Sequence, residues 1–351
     1  MNEQLHTLIV LTPGFPKDEA DSTCLPFPQL FVKTLKKTTP SLNVVVLAFE
    51  YPFTVSRYKW HGVNVIPFNG WQKGKIRKLL ILRMILKELT VIASQNKVIG
   101  ILSLWLGECA LAGKYAAKKL GVPSFTWLMG QDAKKNNRYY RLVRPQADKL
   151  IALSDFLAAT FFKNYAIKPA HIIPPGIDPT EFKNNPQRRW IDIIGVGSLI
   201  PLKQYDIFIH VIEKIVKKHP LVKASICGNG PEKDYLAALI TRGGLQDNIQ
   251  LMDEIKHDEV LALMQQSKIL LHTSAYEGFG VVYAEALYAG AHVVGFCKPM
   301  NVLFQHQHVA DDENSMIDMV DQILSGTDID HSPVLTCHIN ETCSSILSLY
   351  E

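Results

Sequence analysis

The stretch that decides the fold is Ile269-Leu-Leu-His-Thr-Ser-Ala-Tyr-Glu277-Gly-Phe-Gly280-Val-Val-Tyr-Ala-Glu285-Ala-Leu287. It begins with an apolar run, Ile269–Thr273, of the kind that forms a parallel strand buried on both faces. A loop with two glycines follows, and then a segment of helical period near 280–289. Strand, glycine-rich turn and helix in this order indicate a doubly wound α/β domain, whose ligands bind beyond the carboxyl ends of the strands.

The residues of this stretch also predict the ligand. Gly278 and Gly280 allow backbone amides to approach closely, and the helix that begins near Gly280 directs its positive end toward the same place, which suits a diphosphate. Glu285 lies in the helix, where its carboxylate can accept hydrogen bonds from ribose hydroxyls. Glu277, on the loop, can accept from sugar hydroxyls or stabilise developing positive charge. For isolated glutamates, a helix cap at Glu277 and a solvated side chain at Glu285 are the ordinary alternatives.

The same alternation of strands and helices runs through most of the chain. In the first half, strands are predicted at Leu8–Thr12, Val44–Phe49, Val63–Pro67, Ile99–Leu104, Ser124–Leu128, Lys149–Ser154 and His171–Pro174, with helices near 27–38, 76–94, 108–120, 136–144 and 155–164. In the second half, strands are predicted at Asp192–Val196, Lys223–Cys227, Ile249–Met252, Ile269–Thr273 and Val293–Gly295, with helices near 204–218, 232–243, 257–266 and 280–289. Two parallel-sheet domains follow from this rhythm.

Composition narrows the class of protein. The chain has 351 residues, of which 47% are hydrophobic and 20% charged, as in a soluble globular protein of two domains. The apolar start, Leu8–Leu11, is short and predicts a first strand and not a signal peptide. Six scattered cysteines without a Cys-x-x-Cys argue for reduced thiols in the cytosol and against a zinc site.

The net charge of +4 hides an asymmetry between the two halves. Residues 1–175 carry 24 Lys and Arg against 10 Asp and Glu, whereas the remainder carries 13 against 23. A basic first half indicates an anionic partner, such as a membrane surface or a phosphorylated acceptor, with a solubilising bias as the alternative. Residues 71–94 could form a basic amphipathic helix lying on anionic lipid, or a core-facing helix with a solvated basic side.

Several segments together resemble the large family of retaining glycosyltransferases often called family 4. Glu277-Gly-Phe-Gly followed by Glu285 looks like its Glu-x7-Glu signature. In the family's order stand segments similar to its other motifs: Thr12-Pro-Gly-Phe-Pro16, Ala147-Asp148 through Ser154, Ile173-Pro-Pro-Gly-Ile-Asp178, Val196-Gly-Ser-Leu-Ile-Pro-Leu-Lys203 and Cys227-Gly-Asn-Gly-Pro231. The resemblance spans roughly residues 8 to 300. It implies the GT-B fold, in which two Rossmann-like, doubly wound parallel-sheet domains of the α/β class face a cleft.

The resemblance also assigns roles to individual residues. Glu277 and Lys203 are expected to be catalytic, with Lys203 as the cation for the diphosphate. The donor is expected to contact Glu285, Gly278, Phe279, Gly280, Val281, Val282, Gly197 and Ser198. Asp253, Glu254 and Ile255 are expected near the nucleobase. In the first domain, Gly14, Phe15, Gly130, Gln131 and Asp132 are expected to line the cleft, although a lone Asp132 more often forms or caps a turn.

Two positions depart from the family's pattern. Ser198 stands where the family has an arginine, and Met129 stands where it has a histidine that reaches the donor sugar. More of the diphosphate charge is therefore left to Lys203 and the helix N-terminus. The resemblance implies that no metal or other cofactor is needed, because a lysine and a helix N-terminus serve in its place. The Asp-Ile-Asp at 328–330, which could suggest a metal site, lies beyond the matched segments.

The resulting prediction is transfer of a sugar from a nucleotide-sugar donor to a glycan or lipid-linked saccharide acceptor, with retention, in cell-surface polysaccharide synthesis. The domains are expected at 1–174 and 175–335, with a final helix in 336–351 that packs back on the first domain. The protein is expected in the cytoplasm, at the inner face of the membrane if lipid is contacted, with no nucleic-acid partner. A non-catalytic nucleotide-sugar-binding relative and a nucleotide-sugar epimerase remain alternatives.

Overall fold

The computed structural model describes residues 6–71, 74–183 and 188–351. It forms two compact units, one of Met1–Pro175 with Ile339–Glu351 and the other of Gly176–His338. Within the described residues, no helix combines the length and the apolar character needed to cross a membrane.

Unit 1 is built on an eight-stranded sheet in the order β3-β4-β2-β1-β5-β6-β7-β8. Every neighbouring pair is parallel except β3 with β4. The strands are β1 (His6–Gly14), β2 (Asn43–Tyr51), β3 (Tyr58–Trp60), β4 (Val63–Pro67), β5 (Lys97–Leu104), β6 (Ser124–Leu128), β7 (Leu150–Ala152) and β8 (His171–Ile172). The helices are α1 (Pro26–Thr38), α2 (Lys75–Gln95), α3 (Glu108–Leu120), α4 (Arg138–Val143), α5 (Asp155–Tyr165) and, from the end of the chain, α11 (Ile339–Leu347).

The final helix belongs to unit 1 through specific contacts. Cys343 packs with its thiol 3.8 Å from the carbonyl oxygen of Phe31 in α1, and Thr342 donates a 2.9 Å hydrogen bond to the carbonyl of Pro174. Tyr350, in a turn after the helix, donates to the carbonyl oxygen of Ile101 in β5 at 3.0 Å. The last thirteen residues therefore complete the core of the unit in which the chain begins.

Unit 2 has a six-stranded, wholly parallel sheet in the order β11-β10-β9-β12-β13-β14. Its strands are β9 (Ile191–Val196), β10 (Ala224–Cys227), β11 (Ile249–Met252), β12 (Ser267–His272), β13 (His292–Gly295) and β14 (Gln307–Val309). Its helices are α6 (Tyr205–Val216), α7 (Lys233–Arg242), α8 (His257–Gln265), α9 (Val281–Tyr288) and α10 (Glu313–Ser325). Two parallel-sheet units of this kind confirm the predicted α/β class.

The differences from the predicted elements have local causes. The strand expected over Lys149–Ser154 shrinks to β7, since Ala147–Lys149 form a 3-10 turn and the Ser154 hydroxyl caps α5 by accepting from the Leu157 amide at 3.0 Å. The strands β3 and β14 were not predicted, because three residues are too few for an alternation pattern. Helix α10 was missed as well, although Met316, Val320 and Ile323 bury one face of it at helical spacing.

Candidate functional site

The strand order of unit 2 determines where a ligand can bind. β9 is the first strand of this sheet in chain order and lies between β10 and β12. The chain passes from β9 to β10 on one side and later fills the other side with β12 and β13. In open α/β sheets, the crevice at such a switch point, beyond the carboxyl ends of the strands, is the ligand site. The loops that meet there follow β9 and β12 and contain Lys203 and Glu277.

Glycines let the loops after β9 and β10 run against each other. The amide of Gly197 donates to the Cys227 carbonyl at 3.0 Å, and the amide of Leu199 donates to the Asn229 carbonyl at 2.9 Å. A Cβ on Gly228, whose φ is +154°, would lie 1.9 Å from the carbonyl oxygen of Gly197. Glycine is therefore needed at 228, because a side chain there would prevent the two loops from approaching each other. The close approach fixes the position of the chain that leads to Lys203.

The loop that contains Lys203 rests on the loop after β12. The hydroxyl of Thr273 donates to the Lys203 carbonyl at 2.9 Å, and the amide of Ala275 donates to the Leu202 carbonyl at 3.0 Å. These bonds join segments about seventy residues apart in the chain. As a result, the ammonium group of Lys203 contacts the carboxylate of Glu277.

Glu277 is held as a carboxylate by two partners. Its Oε1 accepts from the Lys203 ammonium and from Nε2 of His272, which lies 2.9 Å away. Burial alone would raise the pKa of Glu277, but the hydrogen bond from His272 and the charge of Lys203 outweigh it and lower the pKa to about 2. Burial lowers the pKa of His272, whose Nε2–H donates to Glu277. The result is a fixed negative charge beside a lysine that retains two further N–H donors.

The N-terminus of α9 lies in the same loop. Gly280 begins the helix in the left-handed conformation, with φ +75°, and no side chain caps this end. Gly278 and Phe279 are buried, whereas Val281 and Val282 are half-buried. Because the first amides of a helix have no acceptor within it, this end offers N–H donors and a positive dipole to an anion. Glu277 is thus not the cap of the helix.

Glu285 lies one turn into α9 and is not solvated. Its side chain is 13% exposed, and its Oε1 is 2.8 Å from Nε2 of His257 in α8. Burial alone would lower the pKa of His257, but the bond to Glu285 outweighs it and raises the pKa. The pair therefore ties α8 to α9 and orients the carboxylate predicted to meet a ribose. The second oxygen of the carboxylate adds further acceptor capacity.

The segment expected near a nucleobase follows β11 at the same edge of the sheet. The side chains of Asp253 and Glu254 are exposed, and that of Ile255 is half-buried. The carboxylate of Asp253 pairs with the ammonium of Lys233 at the start of α7. The side chain of Asp253 is therefore already engaged by a cation.

In unit 1, two residues predicted to line a ligand site have other roles. Phe15 is 1% exposed and packs edge to face on Trp60, with 5.0 Å between ring centroids, so its side chain belongs to the core. Asp132 is buried, and its carboxylate accepts from the amides of Leu106, at 2.8 Å, and Gly130, at 2.8 Å. The turn-forming alternative describes Asp132, because backbone amides occupy its oxygens.

The other residues predicted in unit 1 lie at the ends of strands. Gly14 is the last residue of β1, and Gly130 follows β6 with φ +146°. Gln131 is exposed, and Met129 is half-buried. These positions are at the carboxyl edge of the sheet of unit 1, where ligands of α/β proteins bind.

Two histidines of the site were not predicted. His272 ends β12 and His257 begins α8, and each is bonded to one of the two predicted glutamates. Ser198, which stands where an arginine was expected, is exposed beside Gly197. A histidine at the last position of a buried strand, five residues before a loop carboxylate, is the signal that would have indicated His272. Within the described ranges, no group of three or more His, Cys, Asp or Glu side chains could hold a metal ion.

Comparison with known proteins finds a family match in the part of the chain that carries this site. Residues 177–313 match the family described as Glycosyl transferases group 1, and this region contains Lys203, Glu277 and Glu285. Among curated proteins, the chain is similar to the gpi3 subunit of phosphatidylinositol N-acetylglucosaminyltransferase from Schizosaccharomyces pombe. The two are 31% identical over 130 residues, which are 36% of this chain and 28% of that protein. The chain spans about a quarter of the length of the curated relatives it matches first.

Solved structures resemble the whole chain. Sucrose-phosphate synthase from Thermosynechococcus elongatus matches with a TM-score of 0.72 and 13% identity, over 99% of this chain and 95% of that one. Anabaena Alr3699/HepE, solved in complex with UDP and glucose, matches with a TM-score of 0.67 and 15% identity, over 99% and 96%. The predicted GT-B fold is confirmed, and the residues that match Glycosyl transferases group 1 lie in unit 2.

Proposed function

We propose that this chain is a glycosyltransferase that moves a sugar, a hexose in the simplest case, from a nucleotide-sugar donor to a glycan or lipid-linked saccharide acceptor. The observation that carries the proposal is the contact between Lys203 and Glu277 beside the uncapped N-terminus of α9, at the switch point of the sheet. The names of the relatives support it, since one is an N-acetylglucosaminyltransferase and another was solved with UDP and glucose. UDP is therefore the nucleotide to test first.

In this proposal, unit 2 holds the donor by its nucleotide. The diphosphate lies at the amides of Gly280 to Val282 and accepts from Lys203, as anions do at helix N-termini. Glu285, oriented by His257, accepts from the ribose hydroxyls. The backbone of 253–255 borders the base.

The chemical step breaks the bond between the anomeric carbon and the β-phosphate oxygen. The acceptor hydroxyl oxygen forms the new bond to that carbon, and its proton passes to the departing diphosphate. Lys203 and the end of α9 stabilise the negative charge that develops on the leaving group. Ionised Glu277 accepts from the sugar hydroxyls and favours positive charge on the ring. Retention of configuration is part of the proposal, and no side chain is assigned as a covalent nucleophile.

In this proposal, protein groups meet the cation requirement of the diphosphate leaving group. Lys203 and the helix dipole supply positive charge at the site. We therefore propose that transfer proceeds without a metal ion or other cofactor. The proposed cellular role is cell-surface polysaccharide synthesis, by a cytoplasmic protein that works at the inner face of the membrane.

A panel of nucleotide sugars tests the proposal in two steps. Thermal unfolding identifies the donor first, because a ligand that binds the native state raises the melting temperature by mass action. Transfer and hydrolysis of that donor are then followed with saccharide acceptors. Donor binding with no turnover would favour a non-catalytic binding protein, and isomerisation of the donor without acceptor would favour an epimerase. Failure of every nucleotide sugar to stabilise the protein would refute the proposed donor site.

A further inference from the structure

Helix α2 of unit 1 exposes large apolar side chains in its first half. Leu79 is 53% exposed, Leu80 51% and Met84 53%. A surface helix ordinarily buries such residues, and α2 does bury a face through Ile81, Ile85 and Leu89. The exposed leucines and methionine therefore lie outside the packed face and need another explanation.

These residues border two grooves along the helix, both of which are lined in part by Ile81. Leu80 and Met84 line one groove together with Val55, which is 61% exposed, and with Phe68 and Ile81 at its base. Leu79 lines the other groove together with Leu142 of α4, which is 54% exposed. Exposed apolar side chains grouped in this way mark an interaction site.

Cations accompany the apolar residues along the helix. Arg77, Arg83 and Lys87 are exposed on α2, and none forms an ion pair with another residue in the part of the chain that the structure describes. Arg83 and Lys87 are one turn apart, so both project from the same face.

The acidic side chains nearby already have basic partners, including Arg138, which lies 3.7 Å from Glu108. Glu88 of α2 pairs with Arg57 at 2.8 Å. Glu50 and Glu108 both pair with Lys78, at 3.3 and 3.1 Å. The surface therefore combines unpaired positive charge with exposed hydrocarbon.

We propose that this α2 surface, formed by Val55, Leu79, Leu80, Met84 and Leu142 with Arg77, Arg83 and Lys87, docks unit 1 on an anionic phospholipid bilayer. Charge complementarity selects this occupant, because cations over acidic headgroups add attraction while leucine and methionine side chains enter the acyl boundary. Long arginine and lysine side chains can lie along apolar surface and still reach the phosphates. The inference deepens the proposed function, since it identifies the surface by which a lipid-linked acceptor is reached. Its biological purpose rests on the proposed function, whereas binding to the bilayer does not.

Co-sedimentation of the full chain with vesicles tests the inference. Vesicles of phosphatidylcholine are compared with vesicles of equal parts phosphatidylcholine and phosphatidylglycerol. Binding is expected only to the anionic vesicles and is expected to weaken with added salt. In the double variant Arg83→Gln/Lys87→Gln, affinity should fall by roughly thirtyfold, from two cations near the surface. In Leu80→Gln/Met84→Gln, it should fall by at least about tenfold.

Matched variants separate the surface from general charge and hydrophobicity. Lys33→Gln/Lys118→Gln removes two exposed lysines elsewhere on unit 1, and Leu221→Gln removes an apolar side chain that is 86% exposed on unit 2. Both are expected to bind anionic vesicles within about twofold of wild type. Equal loss of binding in control and test variants would overturn the inference, as would wild-type protein that does not distinguish the two kinds of vesicle.

UDP binding, measured on the same preparations, separates this inference from the proposed function. The α2 variants are expected to bind UDP as the wild type does, because their substitutions lie in unit 1. UDP binding without vesicle binding overturns the docking surface alone. Vesicle binding without binding of any nucleotide sugar overturns the proposed function alone.

Discussion

Replacing Glu277 by glutamine tests the central pair of the site, because it removes one negative charge and keeps the size of the side chain. In the native protein, the carboxylate accepts from Lys203 and from His272. The amide oxygen of glutamine can still accept one of these bonds. The change therefore isolates the electrostatic part of the interaction.

The magnitude follows from the pKa of the carboxyl group. It is lowered from its ordinary value of 4.5 to about 2. At 1.36 kcal/mol per pH unit, this corresponds to about 3 kcal/mol in favour of the ionised form. Since the glutamine side chain of Glu277→Gln keeps part of the hydrogen bonding, the free energy of unfolding is expected to fall by about 1–3 kcal/mol at neutral pH.

The pH dependence has a definite sign. A carboxyl group with a lowered pKa in the folded state contributes its full stability above the unfolded pKa, near 4.5, and loses it as the pH falls toward 2. The difference between wild type and Glu277→Gln should therefore be large at neutral pH and shrink through this acidic range. Denaturant unfolding at a series of pH values measures it, with the exposed Glu259→Gln as the control.

Catalysis and binding should respond differently to this substitution. Transfer is expected to fall by at least about tenfold, or about 1.4 kcal/mol, because the sugar loses an ionised acceptor. Affinity for UDP should be kept, since the Lys203 ammonium is then fully available to the diphosphate. Wild-type stability at neutral pH together with wild-type transfer would refute both the pairing and its proposed role.

Three further substitutions test neighbouring parts of the site. Lys203→Ala should lower both UDP affinity and the transfer rate by at least about tenfold, as measured by calorimetry and initial rates. Gly228→Ala should destabilise the fold by about 3 kcal/mol or more in denaturant unfolding, whereas Gly244→Ala, with φ +64° and nothing within 4 Å of the added Cβ, should cost about 1 kcal/mol. His257→Gln should weaken UDP binding through loss of the charged partner of Glu285. Its stability cost should be greatest below about pH 6.5 and should vanish as the pH rises through the raised pKa of the histidine.

Controls for these experiments come from the same chain. Lys217→Ala removes an exposed lysine at the end of α6 and should leave UDP affinity within about twofold of wild type. An equal effect of Lys203→Ala and Lys217→Ala would contradict the assignment of the diphosphate site. A stability cost for His257→Gln that does not change with pH would contradict the ionic bond to Glu285.

Most of the architecture could be predicted from local patterns. The apolar runs reproduced Val63–Pro67, Ser124–Leu128 and Ile249–Met252 to the residue, and the helix at 108–120 as well. The spacing of apolar residues within a segment indicates which of its side chains are buried, and this spacing is visible in the segment alone. Strands that were not predicted, such as β14, are too short to show a periodic spacing of apolar residues.

The residues proposed for the candidate site come from the sequence, whereas their contacts could not be predicted from it. Glu277, Glu285 and Lys203 were identified because their spacing from glycines and strand ends resembles a family pattern. Their partners were not identified, because Lys203 and Glu277 are 74 positions apart and His257 and Glu285 are 28 apart. The order of the strands in the sheet brings such positions together. That order cannot be read from any single segment of the sequence.

The sequence by itself therefore determined the two α/β domains, the glycine turns and the positions of the two candidate carboxylates, since each depends on a few consecutive residues. Tertiary structure alone decided that Lys203 and His272 hold Glu277 ionised, that Phe15 and Asp132 turn inward, and that Leu80 and Met84 of α2 stay exposed. The physical reason is the same in each case. Burial, pKa and exposure depend on what packs against a side chain, and that neighbour comes from a distant part of the chain.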